Sequence, residues 1–357
     1  MLEVIGFREL TTLHTIFGVN AHSDNPLERF IYVLRFFLST IRQEQFEKKP
    51  FNPVLGENHI AWIVNDNPQD GITEFIGEQV SHHPPISAFI VRNTNHQVEV
   101  TGNISFSVKF GQNYAAVSTS GAEFVTLGKF NERYELTKCL PDMVVRNVIW
   151  GTKYCMWEGK ITLECPSTGY SATMVFEEKK KENILKGTIN HIDQNEPLFE
   201  IRGVCGAPIY LYKPDQPDFK RLVIDVSKEK FGEVSYLPKE HLDPLASVVV
   251  WKKVYDAIII GDMVLADKEK KIVEQEQRDR SKARNMSGKT NTGMYFDLDN
   301  AGNWIFKNNI SLIKYLESPN TYQLPRSDGR QQNSSSTATA TASPSPSASA
   351  SPSASSA

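Results

Sequence analysis

The chain has 357 residues, 40% of them hydrophobic and 10% aromatic, and carries a formal net charge of -3. This length admits two domains, but large single β architectures also reach it, and the composition supplies a sizeable core. The weak negative balance excludes a nucleic-acid binder built on a strongly basic face, so any anion site must be local.

Cys139, Cys155, Cys165 and Cys205 form no CxxC pair and show no metal-like spacing with histidine, which argues against a zinc site. They read as buried free thiols in a reducing compartment. Met1-Leu2-Glu3-Val4-Ile5 lacks the basic start and apolar run of a secretion signal, and no run of about 18 apolar residues could span a bilayer. A cytosolic protein is expected, and the Asn-x-Ser/Thr matches at Asn103, Asn285, Asn309 and Asn333 are then chance patterns.

In chain order, Leu10, Leu13 and Phe17 recur at helical spacing between positions 7 and 17, with Gly18 as a stop. An amphipathic helix follows, either packed permanently on the body or free to move as a lid. Asn25-Pro26-Leu27-Glu28 reads as the start of a second helix, with Asn25 as cap and proline at the first helical position. Leu27, Phe30, Ile31, Leu34, Phe37, Leu38 and Ile41 give it a wide apolar face for the core.

From about His59 to Phe176 the period changes to two. Ile104-Ser105-Phe106-Ser107-Val108-Lys109-Phe110 alternates, as do Ile161-Thr162-Leu163-Glu164 and Ser171-Ala172-Thr173-Met174, with turn signals at Asn93-Thr94-Asn95 and Pro166-Ser167-Thr168-Gly169. A sheet this long with one apolar face must stack or close, so the period predicts a large barrel or a sandwich. Lys179-Lys180-Lys181 marks a turn, either solvated or in contact with an anionic membrane. Strand-like segments resume at 184–192, 198–205, 209–212 and 222–226.

Residues 267–284 have strong helical propensity but are almost wholly polar, so the helix belongs on the surface. On it Lys270, Glu274 and Arg278 recur at every fourth position, where they pair in sequence or contact a ligand; Glu274 precedes Arg278 in the favourable orientation for an ion pair. Met294-Tyr295-Phe296-Asp297-Leu298-Asp299 is expected in the core. After about Pro325, repeats of Ser, Thr, Ala and Pro cannot bury enough apolar surface to fold and are expected to be disordered.

The stretch that carries most information is Glu78-Gln79-Val80-Ser81-His82-His83-Pro84-Pro85. Adjacent imidazoles supply adjustable donors near neutral pH, while the prolines fix φ and remove two backbone donors. This is a rigid corner that presents ring nitrogens, or else a surface turn with incidental histidines. His82 and His83 supply hydrogen bonds that suit the oxygens of a phosphate head group. A hydrolase of lipid or phosphate esters with His82 or His83 as general base is the distant alternative. The chain has no Gly-x-Ser-x-Gly elbow, metal-binding His-Glu-x-x-His or phosphate-binding Gly-x-x-x-x-Gly-Lys loop, so no catalysis, metal or cofactor is expected.

Residues 78–85 match letter for letter the signature of the oxysterol-binding protein related family (OSBP/ORP/Osh). Lys49-Pro50-Phe51-Asn52-Pro53-Val54-Leu55-Gly56-Glu57 resembles its second signature, and Lys270, Glu274 and Arg278 fall at the spacing of its third. The resemblance covers roughly residues 25–315. It implies a mainly β fold with helices (α+β), namely a large near-complete antiparallel β-barrel around a hydrophobic lipid tunnel, with N-terminal helices and a C-terminal helical subdomain. Residues 1–24 would be a lead-in helix or lid, 25–315 the lipid-binding domain and 325–357 a disordered tail; the family's longer lead-in is not recognisable here. The resemblance further implies a phosphatidylinositol 4-phosphate site in which His82, His83 and Arg278 grip the inositol 4-phosphate. Lys49 and Asn52 would contact the phosphates near the lid, and Lys270 with Glu274 would orient the inositol ring and the basic side chains. The implied function is non-enzymatic lipid exchange at membrane contact sites, the phosphoinositide competing with a second lipid, sterol or phosphatidylserine, for one tunnel; a sensor acting through partners is the alternative. The protein would be a cytosolic monomer that touches membranes transiently.

Overall fold

The computed structural model describes residues 1–22, 24–42, 51–230, 232–287, 293–300, 302–307, 310–318 and 324–327. Two helices open the chain, α1 (Leu2–Thr12) and, after a 3-10 segment at Leu13–Ala21, α2 (Pro26–Thr40). The second starts as its sequence dictates: Asn25 Oδ1 accepts the Glu28 N–H at 3.1 Å and proline takes the first helical position. The first departs from expectation, beginning at Leu2 and running through Gly18 as 3-10 helix. At the change of pitch the hydroxyls of Thr11, Thr12 and Thr15 bond back to the carbonyls of Phe7, Arg8 and Thr12, a local competition that disfavours regular α-helix.

One antiparallel sheet of 15 strands follows. Its first half is β1 (Asn58–Val64), β2 (Ile72–His82), β3 (Pro85–Asn93), β4 (Val98–Phe110), β5 (Tyr114–Ser120), β6 (Glu123–Leu127), β7 (Glu132–Leu136) and β8 (Asp142–Arg146). The second half is β9 (Tyr154–Cys165), β10 (Tyr170–Lys179), β11 (Glu182–His191), β12 (Phe199–Val204), β13 (Pro208–Lys213), β14 (Gln216–Asp225) and β15 (Val234–Tyr236). Hydrogen bonds run from β14 in order to β9, then through β7, β6, β4, β3, β2 and β1 to β15, with β5 and β8 bridging β4 to β9. The sheet curls around the N-terminal helices, and β14 and β15 remain its two ends.

Leu13, Ile16, Phe30, Phe36 and Phe37 are fully buried in one core with Phe75, Val100, Leu163, Met174, Leu185 and Leu211 from across the sheet. Burial of each such side chain stabilises by roughly 1.5–3 kcal/mol, so a charge at Phe37 would break the packing of α2. Inside this core Arg29 Nε bonds Glu132 at 3.0 Å and Tyr134 Oη donates to the same carboxylate at 2.7 Å, so the buried charges are paired. Ile5 and Leu10 of α1 and Ile16 and Val19 beyond it belong to the same cluster. The segment expected as a lid or lead-in is thus packed into the core.

The chain closes with α3 (Ser247–Val250), α4 (Lys252–Ile259), α5 (Met263–Ser287), a hairpin of β16 (Phe296–Leu298) and β17 (Trp304–Phe306), and α6 (Leu312–Glu317). Ile60, Ile76 and Ile90 on the outer face of β1, β2 and β3 pack against Tyr295, Phe296 and Leu312. Buried on both faces, β2 loses the alternation of a half-exposed strand. The folded body also passes the expected boundary at 325. Tyr295 Oη donates to the Pro325 carbonyl at 3.1 Å, and Asp243 accepts from the Ser327 N–H at 2.6 Å and its hydroxyl at 2.9 Å. Residues 328–357, the rest of the expected disordered tail, lie outside the described residues. All four cysteines are buried free thiols. No helix among the described residues is long and apolar enough to cross a membrane.

Candidate functional site

Antiparallel pairing fixes which connections share an end of the sheet. β2 ends at His82 where β3 begins, β4 runs up to Phe110, β9 descends from Tyr154 and β10 runs up to Lys179. The residues before β1, the turn at 83–84, the β4–β5 hairpin, the β8–β9 loop and the β10–β11 turn therefore lie at one end. β15, antiparallel to β1, delivers the chain there again before α3.

At this end the first two signatures meet directly. The Gly56 N–H donates to the Gln79 carbonyl at 2.9 Å, the Gln79 N–H to the Glu57 carbonyl at 2.8 Å, and Asn58 stands opposite Glu78. Two buried carboxyls anchor the junction. Glu57 accepts the Val54 N–H at 3.0 Å, the Ser247 hydroxyl at 2.7 Å and the Trp251 indole N–H at 3.0 Å, which ties the segment before β1 to α3 and its C-terminal tryptophan. Glu78 accepts the N–H groups of Met294 and Tyr295 at 2.8 Å each, holding the closing aromatic segment to the sheet. Burial outweighs these bonds and pushes the Glu78 carboxyl up to about 7; burial also raises that of Glu57. Neither anchoring role is legible from residue types, although an acid inside the apolar run Phe75-Ile76-Gly77-Glu78 is the signal that could have found Glu78.

His82 closes β2 opposite Pro85, half-buried, with its ring edge-on to that of His83 at 4.6 Å between centroids. Its Nδ1 is buried and has no hydrogen-bond partner among the described residues. Burial first, then the neighbouring His83, lowers the His82 imidazolium below its ordinary value, so the ring is neutral near pH 7 and can present one donor and one acceptor. His83 is exposed and its bond to Pro84 is cis.

Asn52 is exposed on a segment fixed by Phe51, stacked on Trp251 at 4.6 Å, and by buried Val54. Lys49 lies outside the described residues. On α5, Lys270 pairs with Glu274 at 2.8 Å, while Arg278 Nε donates to Gln275 at 3.1 Å. The Glu274–Arg278 pair expected from spacing does not form, because Lys270 holds Glu274 and Gln275 offers a partner one turn back. Among the described residues no hydrogen bond, ion pair or ring contact joins His82 or His83 to Asn52, Lys270, Glu274 or Arg278. The N-terminal half of α5 is nevertheless packed near the junction. Leu265, Ala266 and Val273 pack with Val54 and Phe51, and the chain beyond Ser287 returns to Glu78 by Met294. At about 3.5 Å per residue, Gly293 stays within roughly 20 Å of Ser287.

The sequence model of the family described as oxysterol-binding protein matches residues 8–257. The chain belongs to the oxysterol-binding protein family. Among its relatives, oxysterol-binding protein 10 of Dictyostelium discoideum is 29% identical over 265 residues, 73% of this chain and 66% of that one. Mouse oxysterol-binding protein-related protein 5 is 30% identical over 277 residues, 75% of this chain but 31% of the relative's length. The fold matches the Osh1 ORD domain solved with ergosterol, with TM-score 0.71 and 20% identity over 92% of this chain and 84% of that one. It also matches the Osh3 ORD of Saccharomyces cerevisiae solved with PI(4)P, with TM-score 0.67 and 21% identity over 92% of this chain and 87% of that one. These are lipid-binding domains and not enzymes, which removes the hydrolase alternative. The family match ends before α5, so the third signature lies beyond it.

Proposed function

We propose that the chain exchanges lipids between membranes, binding phosphatidylinositol 4-phosphate by its head group at this end of the sheet and a sterol in competition with it. The observation that carries the reading is the backbone pairing of the first two signatures, Gly56 and Glu57 against Gln79, with the N-terminal half of α5 packed on the first of them. A phosphorylated ring above the junction would accept from half-buried His82 and from exposed His83. Asn52 and Lys49 would approach from the segment before β1. Arg278, exposed and held by one neutral side chain, can leave Gln275 for a phosphate at small cost and pair with it bidentately. Lys270 and Glu274 would position the ring's hydroxyls. Ligands reported for Osh1 and Osh3, a sterol and PI(4)P, support assigning both lipid classes here.

Exchange follows from competition for one interior. At a membrane rich in phosphoinositide the protein would release its sterol and load the phosphoinositide, then reverse where the phosphoinositide is scarce. The gradient supplies the driving force, and no bond is made or broken. The domain would act as a cytosolic monomer, running from the N-terminal helices to Ser327, with peripheral membrane contact.

Phosphoinositide extraction from vesicles tests the reading. The double variant His82→Ala with His83→Ala should lose extraction while sterol uptake and the melting temperature stay near wild type. Unchanged extraction would refute the head-group assignment.

A further inference from the structure

The end of the sheet that bears the histidine turn also holds apolar side chains out of the core. Phe110 on the β4–β5 hairpin is 81% exposed, and Ile149 and Trp150 on the β8–β9 loop are 70% and 59% exposed. The register gathers these connections. Tyr114 stands opposite Arg146, Arg146 reaches Glu178 on β10 at 3.1 Å, and Lys181 Nζ lies 5.8 Å over the Tyr154 ring. Large apolar side chains so exposed and so close together mark an interaction surface.

The loop is held in this pose. Asn113 Oδ1 accepts the N–H groups of Ile149 and Trp150 at 3.0 and 3.2 Å, while its Nδ2 donates to Asn147 at 3.3 Å and to the Trp150 carbonyl at 3.2 Å. Asn147 in turn donates to the Thr152 carbonyl at 2.9 Å. This clamp fixes the backbone with an aliphatic and an indole side chain facing water, a pose that forgoes their burial until something covers them.

Charge selects the cover. Lys109, Lys153, Lys179, Lys180 and Lys181 surround the apolar group and form no ion pair among the described residues. The nearby carboxylates Glu158 and Glu178 are held by Arg146, and Glu177 by Lys186, which leaves Glu182, opposite Lys179, as one carboxylate against the five lysines. On a chain of net charge -3 the patch is a local positive excess. Aromatic and aliphatic tips ringed by lysines on flexible stems match an anionic bilayer: the apolar tips suit its interface and diffuse lysine charge suits its surface potential.

We propose that this end of the sheet is a membrane-docking face, in which Phe110, Ile149 and Trp150 enter the interface of an anionic lipid bilayer and the lysines face its head groups. Docking in this way turns the end bearing His82 and His83 toward the membrane. Only that consequence rests on the proposed head-group site; the docking itself does not.

Co-sedimentation of the full chain with vesicles of phosphatidylcholine alone, or of phosphatidylcholine with phosphatidylserine, tests the face without any phosphoinositide. Wild type should bind the anionic vesicles about tenfold better than the neutral ones, release as salt screens the lysines, and show tryptophan quenching by brominated lipid. Ile149→Ala with Trp150→Ala, and Lys179→Glu with Lys180→Glu and Lys181→Glu, should each lose about tenfold in binding at unchanged melting temperature. His82→Ala with His83→Ala should bind as wild type, so failure of the head-group reading shows separately, in extraction. Wild-type binding by both patch variants overturns the proposal. So does self-association that Ile149→Ala with Trp150→Ala abolishes while vesicles are ignored, which would assign the face to a second copy of the chain.

Discussion

The signatures on the sheet and the signature on α5 use similar residues in opposite surroundings. Glu57 and Glu78 are 1% and 2% exposed, each oxygen committed to donors from other parts of the chain. Glu274 is half-buried on a helix face and, among the described residues, bonded to Lys270 four residues earlier. The difference teaches that one motif can mix two functions. The sheet acids hold the end of the sheet in shape, while the exposed side chains of α5 and of the histidine turn remain available to a ligand.

The largest effect expected from this contrast is on Glu57→Ala, which strands the Val54 N–H, the Ser247 hydroxyl and the Trp251 indole N–H together. Stability by urea unfolding should fall by about 3 kcal/mol. A loss below about 1 kcal/mol would show that the junction does not depend on this carboxyl.

Glu78 sharpens the contrast through pH. Its carboxyl titrates at about 7 in the folded protein against an ordinary 4.5, chiefly through burial, so the folded state holds this proton to higher pH than the unfolded chain. Its contribution to stability is fully present below the ordinary value and is lost as pH rises through about 7. Between these values wild-type stability should decline with pH relative to Glu78→Gln by on the order of 2 kcal/mol. Parallel profiles for the two proteins would contradict the assignment.

The smallest effect belongs to α5. Lys270→Ala breaks one exposed ion pair and should leave stability within about 0.5 kcal/mol of wild type, while phosphoinositide transfer slows. A fall comparable to that of Glu57→Ala would make the α5 residues structural after all.

The sequence announced its local rules well. The Asn25 cap, the alternation through β4 and β9–β10 and the polar surface of α5 all follow from side-chain chemistry within a few residues. What it concealed depends on contacts distant in the chain. β2 is buried on both faces because the segment near Tyr295 covers its outer side, and Ser327 joins the folded body through Asp243. Neither the threonine back-bonding at the start of Leu13–Ala21 nor the packing that keeps the segment in the core was read from the sequence. In the candidate site the residue types pointed to a phosphate, but their separation along the chain hid Glu57 and Glu78 as the braces between signatures. Spacing allowed Glu274 to pair with Arg278 or with Lys270, and it is Lys270 that holds it while Arg278 bonds Gln275.

In the proposed site the histidine turn and α5 hold one phosphate, although no bond among the described residues joins them directly. A double-mutant cycle of His82→Ala and Arg278→Ala on phosphatidylinositol 4-phosphate affinity measures this. Two residues gripping the same phosphate should couple by about 1–2 kcal/mol; losses that add to within about 0.5 kcal/mol would mean that they serve separate sites.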